Sequence, residues 1–294
     1  MLKNVWIAAV AVDTQPGQVA ENLEKIKAWT GRAAAAGAQL VLFQELSLSG
    51  FLPNHPLQNH DAWLRETLQF AWTSAEPLDG QAVRQLSRIA AEHDVLISAG
   101  LLEDAGNVLH NTQVLVDRSG LLGRWRKMHV PMYEMPFYCG GGVPDVVETS
   151  LGRIGANICF DVLIPESTRL LAVKNAEIVL FPFAADPPPV TANGWADWAG
   201  TALRSRCVEN GVYGIACNYV GTVTCASVSQ FFPGGGMAID PRGRVLKDWS
   251  VPSGEPGMLL VDLSAELLRQ ARAEPEYLYR FRRPELYRTL SNVD

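Results

Sequence analysis

The chain contains no basic block, no apolar run of membrane length and no cysteine pair at a metal-binding spacing. Each absence removes a class of function. A formal net charge of −6 over 294 residues leaves nucleic acid and anionic membranes without the basic face they require. The longest early apolar stretch runs from Val5 to Val12 and stops at Asp13. It is too short to span a bilayer and lacks the small-residue cleavage pattern of a secretory signal. A cytoplasmic protein is expected. The five cysteines (Cys139, Cys159, Cys207, Cys217 and Cys225) form no C-x-x-C and no Cys/His cluster. Neither a disulfide framework nor a bound metal is expected, and a reducing compartment fits. Cys207 and Cys217 lie in apolar surroundings and read as small core residues. Glycine clusters at 140–142 and 234–236 match neither phosphate-loop pattern. They imply turns or close backbone approach, and no cofactor is expected.

What the chain does have is apolar content, at 48%, enough for a large core. Short apolar runs alternate with helical patterns. Strands are expected over 5–12, 39–45, 95–102, 177–183, 212–219 and 257–263, and helices over 17–36, 80–93, 165–174 and 195–210. Hairpins are expected over 111–117 with 121–127, 146–149 with 153–159, and 237–240 with 243–248. Continuous apolar strands between helices imply sheets covered by helices, and the hairpins add antiparallel pairing. The economical solution is an α/β sandwich. No linker, repeat or low-complexity tract divides residues 1–294, which read as one domain. The tail at about 264–294 is rich in Arg, Tyr and Pro and reads as an arm that packs on something, a second subunit being the natural candidate.

Three of the expected strands end in residues that carry chemistry. Glu45 closes one, Lys127 another and Cys159 a third, with Pro165-Glu166 opening a helix just beyond. A thiol at a strand-to-helix turn lies beside free backbone N–H groups, which favour negative charge and lower its pKa. Taken singly, Glu45 is a turn-capping carboxylate bonded to Ser47 or Ser49, Lys127 a solvated lysine and Cys159 a core cysteine. Together they are a base, an ammonium and a nucleophile, the set that attack on a carbonyl or nitrile carbon requires.

The surrounding residues resemble the nitrilase, or carbon–nitrogen hydrolase, superfamily. Phe43-Gln-Glu-Leu-Ser-Leu-Ser-Gly-Phe51 is similar to its glutamate motif, Arg126-Lys-Met-His-Val-Pro131 to its lysine motif, and Gly155-Ala-Asn-Ile-Cys-Phe-Asp161 to its cysteine motif. The likeness continues through Cys207-Val-Glu-Asn210 and Asp240-Pro-Arg-Gly243 to Arg283-Pro-Glu-Leu-Tyr287. The resemblance implies an α-β-β-α four-layer sandwich that dimerises into an eight-layer assembly, with the C-terminal arm crossing to the partner. It implies Glu45 as general base, Lys127 as oxyanion stabiliser, Cys159 as nucleophile and the Phe160 backbone N–H as a further oxyanion donor. A second glutamate of the family matches Glu134, although Cys139 stands where a proline is common.

In this family Phe160-Asp161, an aromatic followed by Asp, points to amide rather than nitrile cleavage. The expected function is hydrolysis of a small amide or N-carbamoyl compound through a cysteine thioester. Nitrile hydrolysis, and a catalytically inactive interaction module, are the alternatives. Tyr133, Phe183, Ala184 and Trp195 are candidate pocket walls; the loop from Ala184 to Trp198 carries Pro187-Pro-Pro189 and two tryptophans. His129, after the lysine motif, reads as a hydrogen-bonded positioning residue.

Overall fold

A computed structural model describes residues 1, 3–54, 59–186, 194–249 and 254–291, with the side chains of the helix that starts at Gly194 described from residue 199 onward. One six-stranded sheet holds β1 (Val5–Ala11), β2 (Leu40–Phe43), β3 (Leu96–Asp104), β4 (Leu109–Asp117), β5 (Gly120–Arg126) and β14 (Gly257–Leu263). Its order is β14-β1-β2-β3-β4-β5. The second six-stranded sheet holds β6 (Val147–Thr149), β7 (Gly152–Ala156), β8 (Ile178–Phe183), β9 (Tyr213–Asn218), β12 (Gly236–Ile239) and β13 (Val245–Trp249), in the order β13-β12-β9-β8-β7-β6. A separate hairpin pairs β10 (Val220–Cys225) with β11 (Val228–Pro233). The helices are α1 (Val19–Ala35), α2 (His60–Ser74), α3 (Gln81–His93), α4 (Pro165–Val173), α5 (Gly194–Asn210) and α6 (Ala265–Ala273).

Side-chain alternation explains the layers. On β1, Val5, Ile7, Ala9 and Ala11 enter a core shared by both sheets, while Ala8 and Val10 enter the core with Leu23 and Ile26 of α1 and Leu86 and Ile89 of α3. β8 repeats this: Ile178 and Leu180 face the first sheet, and Val179, Phe181 and Phe183 face Ala199, Leu203 and Cys207 of α5. Strands buried on both faces need apolar residues on both, which is why these runs are unbroken in the sequence. Each such Ile or Leu stabilises the fold by roughly 1.5–3 kcal/mol relative to exposure. The result is the four-layer α-β-β-α sandwich.

Strand direction then places the site. β1, β2 and β3 are parallel, and β5 returns to that direction after the antiparallel β4. β7, β8 and β9 are parallel in the second sheet. Loops leaving β2 and β5, and those leaving β7 and β8, are therefore the ones able to meet, as is usual at carboxyl ends of strands. An aromatic-rich cluster including Phe51, Phe137, Tyr138, Ala184, Tyr219 and Phe232 packs among these loops.

Three elements depart from expectation. α2 and the β10–β11 hairpin lie where no element was expected. The first part of the expected arm is α6, whose Ser264 hydroxyl accepts the Leu267 N–H at 3.2 Å and whose Ala265, Leu268 and Ala271 are buried. Only the short turns beyond it, with Leu278, Phe281, Leu286 and Leu290 exposed, remain arm-like. Among the described residues no helix is long and apolar enough to cross a membrane.

Candidate active site

Glu45 lies two residues past β2 in a tight turn. Gln44 secures the approach by bonding both backbone groups of Val12, at 2.5 and 3.2 Å, and Leu46 takes a positive φ of 51°. Ser47 and Ser49 accept N–H groups of β3, from Gly100 at 3.1 Å and Leu102 at 2.9 Å. The serines therefore do not occupy the Glu45 carboxylate. Its Oε1 instead meets Lys127 Nζ at 2.8 Å and the Asn111 amide at 2.6 Å, while Oε2 is buried with no hydrogen-bond partner among the described residues.

Lys127 immediately follows β5, and its backbone N–H donates to Asn111 of β4 at 2.8 Å. Its ammonium also donates to Glu134 Oε2 at 2.7 Å, and lysine and both glutamates are buried. Burial lowers the lysine pKa, but the charges of Glu134 and Glu45 outweigh it and hold the group well above its usual range. The ammonium is thus permanently charged. The Glu134 carboxyl is pushed up to about 7, chiefly by burial and further by Glu45, with Lys127 opposing. Gly140 and Gly141 run beside this strand end; a Cβ on Gly141 would come within 2.5 Å of Arg126 Cβ, so the expected close approach is real.

Cys159 begins a short 3-10 turn, Cys159–Leu163, three residues after β7. The expected strand to residue 159 stops at Ala156, because the cysteine has a positive φ of 48°. Such a conformation costs a non-glycine residue about 1–3 kcal/mol and turns the side chain out of the strand's alternation. The backbone N–H of Ala184, just past β8, acts on the thiol and lowers its pKa. The expectation of a lowered thiol pKa fails. Burial raises it well above the usual value, the charge of Glu45 adds to that, and Lys127 only partly opposes them. Desolvation outweighs the backbone N–H groups, so the resting group is a thiol that must lose its proton on attack.

Asp161 welds the cysteine turn to the lysine strand. Its Oδ1 accepts the His129 backbone N–H and the ring Nδ1–H, both at 2.9 Å, and its Oδ2 accepts the N–H of Ile158 at 3.1 Å. His129 is hydrogen-bonded, as its place in the sequence suggested. Of the candidate pocket residues, Ala184 is the one whose backbone acts on the thiol. Phe183 points instead into the core under α5, because it continues the outward alternation of β8. Tyr133 is half-exposed beside Glu134. The Trp195 side chain, Trp198 and Pro187-Pro-Pro189 lie outside the described residues or side chains. Cys139 is exposed, its N–H donating to Leu109 at 2.9 Å. Asn111 and Tyr138 were missed by sequence reasoning. Asn111 was visible only as an amide inside an apolar strand, and Tyr138 only as an aromatic four residues past Glu134.

Residues 6–273 match the family described as carbon–nitrogen hydrolase. The chain belongs to the carbon–nitrogen hydrolase family. It is similar to a nitrilase of Pyrococcus abyssi, 29% identical over 286 residues that cover 96% of this chain and 99% of that protein. It is 30% identical over 278 residues to an (R)-stereoselective amidase of Pseudomonas sp., covering 92% of this chain and 89% of the relative. Among solved structures it resembles a mutant of the amidase from Nesterenkonia sp. AN1, with a TM-score of 0.74 and 25% identity, covering 98% of this chain and 97% of that one. That structure shows covalent addition of the acetamide moiety of fluoroacetamide at the active-site cysteine. As a carbon–nitrogen hydrolase, this chain carries Glu45, Lys127 and Cys159 just past the ends of β2, β5 and β7, and Glu134 in the turn that follows β5.

Proposed function

We propose that the protein hydrolyses small amides or N-carbamoyl compounds through a thioester on Cys159. The observation that carries this reading is a buried Lys127 held between Glu45 at 2.8 Å and Glu134 at 2.7 Å, with charges that act on the Cys159 thiol. A thiol with a raised pKa needs a base, and Glu45 Oε2, without a hydrogen-bond partner among the described residues, is an acceptor for its proton. As Glu45 takes the proton, sulfur bonds to the acyl carbon and the carbonyl electron pair moves to oxygen. Lys127 and the Phe160 N–H stabilise that oxyanion. The carbon–nitrogen bond then breaks, the leaving nitrogen takes the proton from Glu45, and a thioester remains. Water gives a proton to Glu45 and attacks the thioester, the carbon–sulfur bond breaks, and the thiol is restored. Glu134 holds Lys127 in place throughout.

The aromatic–Asp pair at Phe160-Asp161 supports amides over nitriles. The exposed apolar side chains after α6 support a homodimer in which the tail contacts the second copy, the chain acting as one domain. Five free cysteines suit a cytoplasmic setting. Ammonia release from a panel of amides, carbamoyl amines and nitriles tests the reading, with Cys159→Ala as control. Release from amides or carbamoyl amines that disappears in the variant is expected. Release from nitriles alone would make the enzyme a nitrilase. No release from any, with Cys159 no more reactive than an ordinary thiol, would mark an interaction module.

A further inference from the structure

Tyr138 is a buried polar group that the steps above leave unused. The residue is 4% exposed, and its hydroxyl finds no hydrogen-bond partner among the described residues. Buried hydroxyls are almost always satisfied in folded proteins, so an orphan calls for a reason.

Its surroundings supply one. Glu134 and Tyr138 leave the same turn of chain: the N–H groups of Phe137 and Tyr138 both donate to the Glu134 carbonyl, at 2.9 and 3.3 Å. The Glu134 carboxylate ends on Lys127. The tyrosine ring packs in the cluster that contains Phe137 and Ala184, and the Ala184 backbone lies close enough to Cys159 to act on its thiol. Burial and the charge of Glu134 keep the phenol protonated far above its ordinary range, and Lys127, Glu45 and Cys159 also act on it. At neutral pH it is therefore a donor. The thiol proton already has a destination in Glu45, which leaves the phenol as a donor without an acceptor among the described residues.

We propose that the Tyr138 hydroxyl donates a hydrogen bond to the acyl oxygen of the substrate, beside Lys127 and the Phe160 N–H. The inference rests on the reading above, in which Cys159 attacks an acyl carbon. A bond to that oxygen strengthens as negative charge gathers there, so it accelerates the chemical step more than it improves ground-state binding. A nitrile presents no oxygen at the attacked carbon in its first adduct. Tyr138 thus favours amides and carbamoyl compounds over nitriles.

Tyr138→Phe keeps the ring and removes only the donor. With butyramide as substrate, kcat is expected to fall about a hundredfold or more while KM changes little. A second readout needs no turnover. Butyraldehyde adds to the thiol: a sulfur–carbon bond forms, the carbonyl π bond breaks, and the thiol's proton ends on the former carbonyl oxygen. That oxygen occupies the place of the oxyanion, and the adduct protects Cys159 from iodoacetamide. The butyraldehyde concentration giving half protection should rise at least about tenfold in Tyr138→Phe, measured against each protein's own alkylation rate without aldehyde. An unchanged kcat, a change in KM alone, or unchanged protection overturns the proposal. Should the unaltered enzyme hydrolyse no amide, the hydrolytic reading fails by itself and the aldehyde experiment alone decides the role of Tyr138.

Discussion

Asp161 Oδ1 accepts two hydrogen bonds from His129, from its backbone N–H and its ring, each at 2.9 Å. His129 stands two residues after Lys127, and Ile158, held by the other Asp161 oxygen at 3.1 Å, directly precedes Cys159. One buried carboxylate therefore sets the spacing between ammonium and sulfur. Asp161→Asn places an amide N–H against donors that need an acceptor. Stability should fall by about 1–3 kcal/mol, read by denaturant unfolding. A kcat loss of at least about tenfold should accompany it, since small misplacements of reacting groups are costly. Unaltered kcat in a folded variant would detach this carboxylate from catalysis.

The His129–Asp161 pair also makes stability depend on pH. The hydrogen bond to Asp161 raises the His129 pKa above 6.5 in the folded protein. The folded state thus binds the proton more tightly, and this contribution is fully present below 6.5 and is lost as pH rises through the raised folded value. The stability gap between the native protein and His129→Gln should be larger at about pH 5.5 than at about pH 9, in thermal unfolding at low salt. The side chain is 40% exposed, so added salt should narrow the gap.

Removing Lys127 has two consequences. Lys127→Ala takes away an oxyanion donor, for which kcat should drop by roughly a hundred- to a thousandfold. It also leaves Glu45 and Glu134 buried without their shared cation, at a cost to stability of about 3–5 kcal/mol. Pairing the change with Glu134→Gln should restore part of the stability and none of the activity. Calorimetry and initial rates on the same two variants separate the effects.

Glu134 should appear in the pH–rate profile. Its carboxyl titrates near about 7, raised mainly by burial, and only the ionised form holds Lys127 by charge. The value of kcat/KM should rise with pH through that range, and Glu134→Gln should lose this limb. A profile that keeps it would assign the titration to another group.

Much of the architecture was readable because the central strands of both sheets are buried on both faces. Apolar runs such as Val5–Ala11 and Ile178–Phe183 carry that requirement in the primary structure. Other elements hid for physical reasons. The β10–β11 hairpin turns through Ala226 and Ser227, both at positive φ (50° and 64°), a turn that usually announces itself with Asn or Gly. α2 buries only Trp63, Thr67 and Ala71, too thin a stripe to show as periodicity. In α6, Ser264 was a legible cap, but the polar residues beside it suggested a tail.

For the site, residue types at strand ends pointed to Glu45, Lys127 and Cys159, because a thiol, a base and a lone ammonium are chemically scarce in such places, whereas Glu134 came from the family resemblance alone. Their electrostatics were not legible. A helix-start argument made the thiol acidic; only packing showed that burial and two carboxylates reverse the sign. Nor could linear order show that Asn111 bonds Glu45, that Asp161 joins two segments, or that the Tyr138 hydroxyl has no partner among the described residues. Backbone pattern is written locally, in side-chain polarity and spacing. Proton affinity and hydrogen-bond satisfaction depend on which distant residues share a volume, and only the tertiary structure decides that.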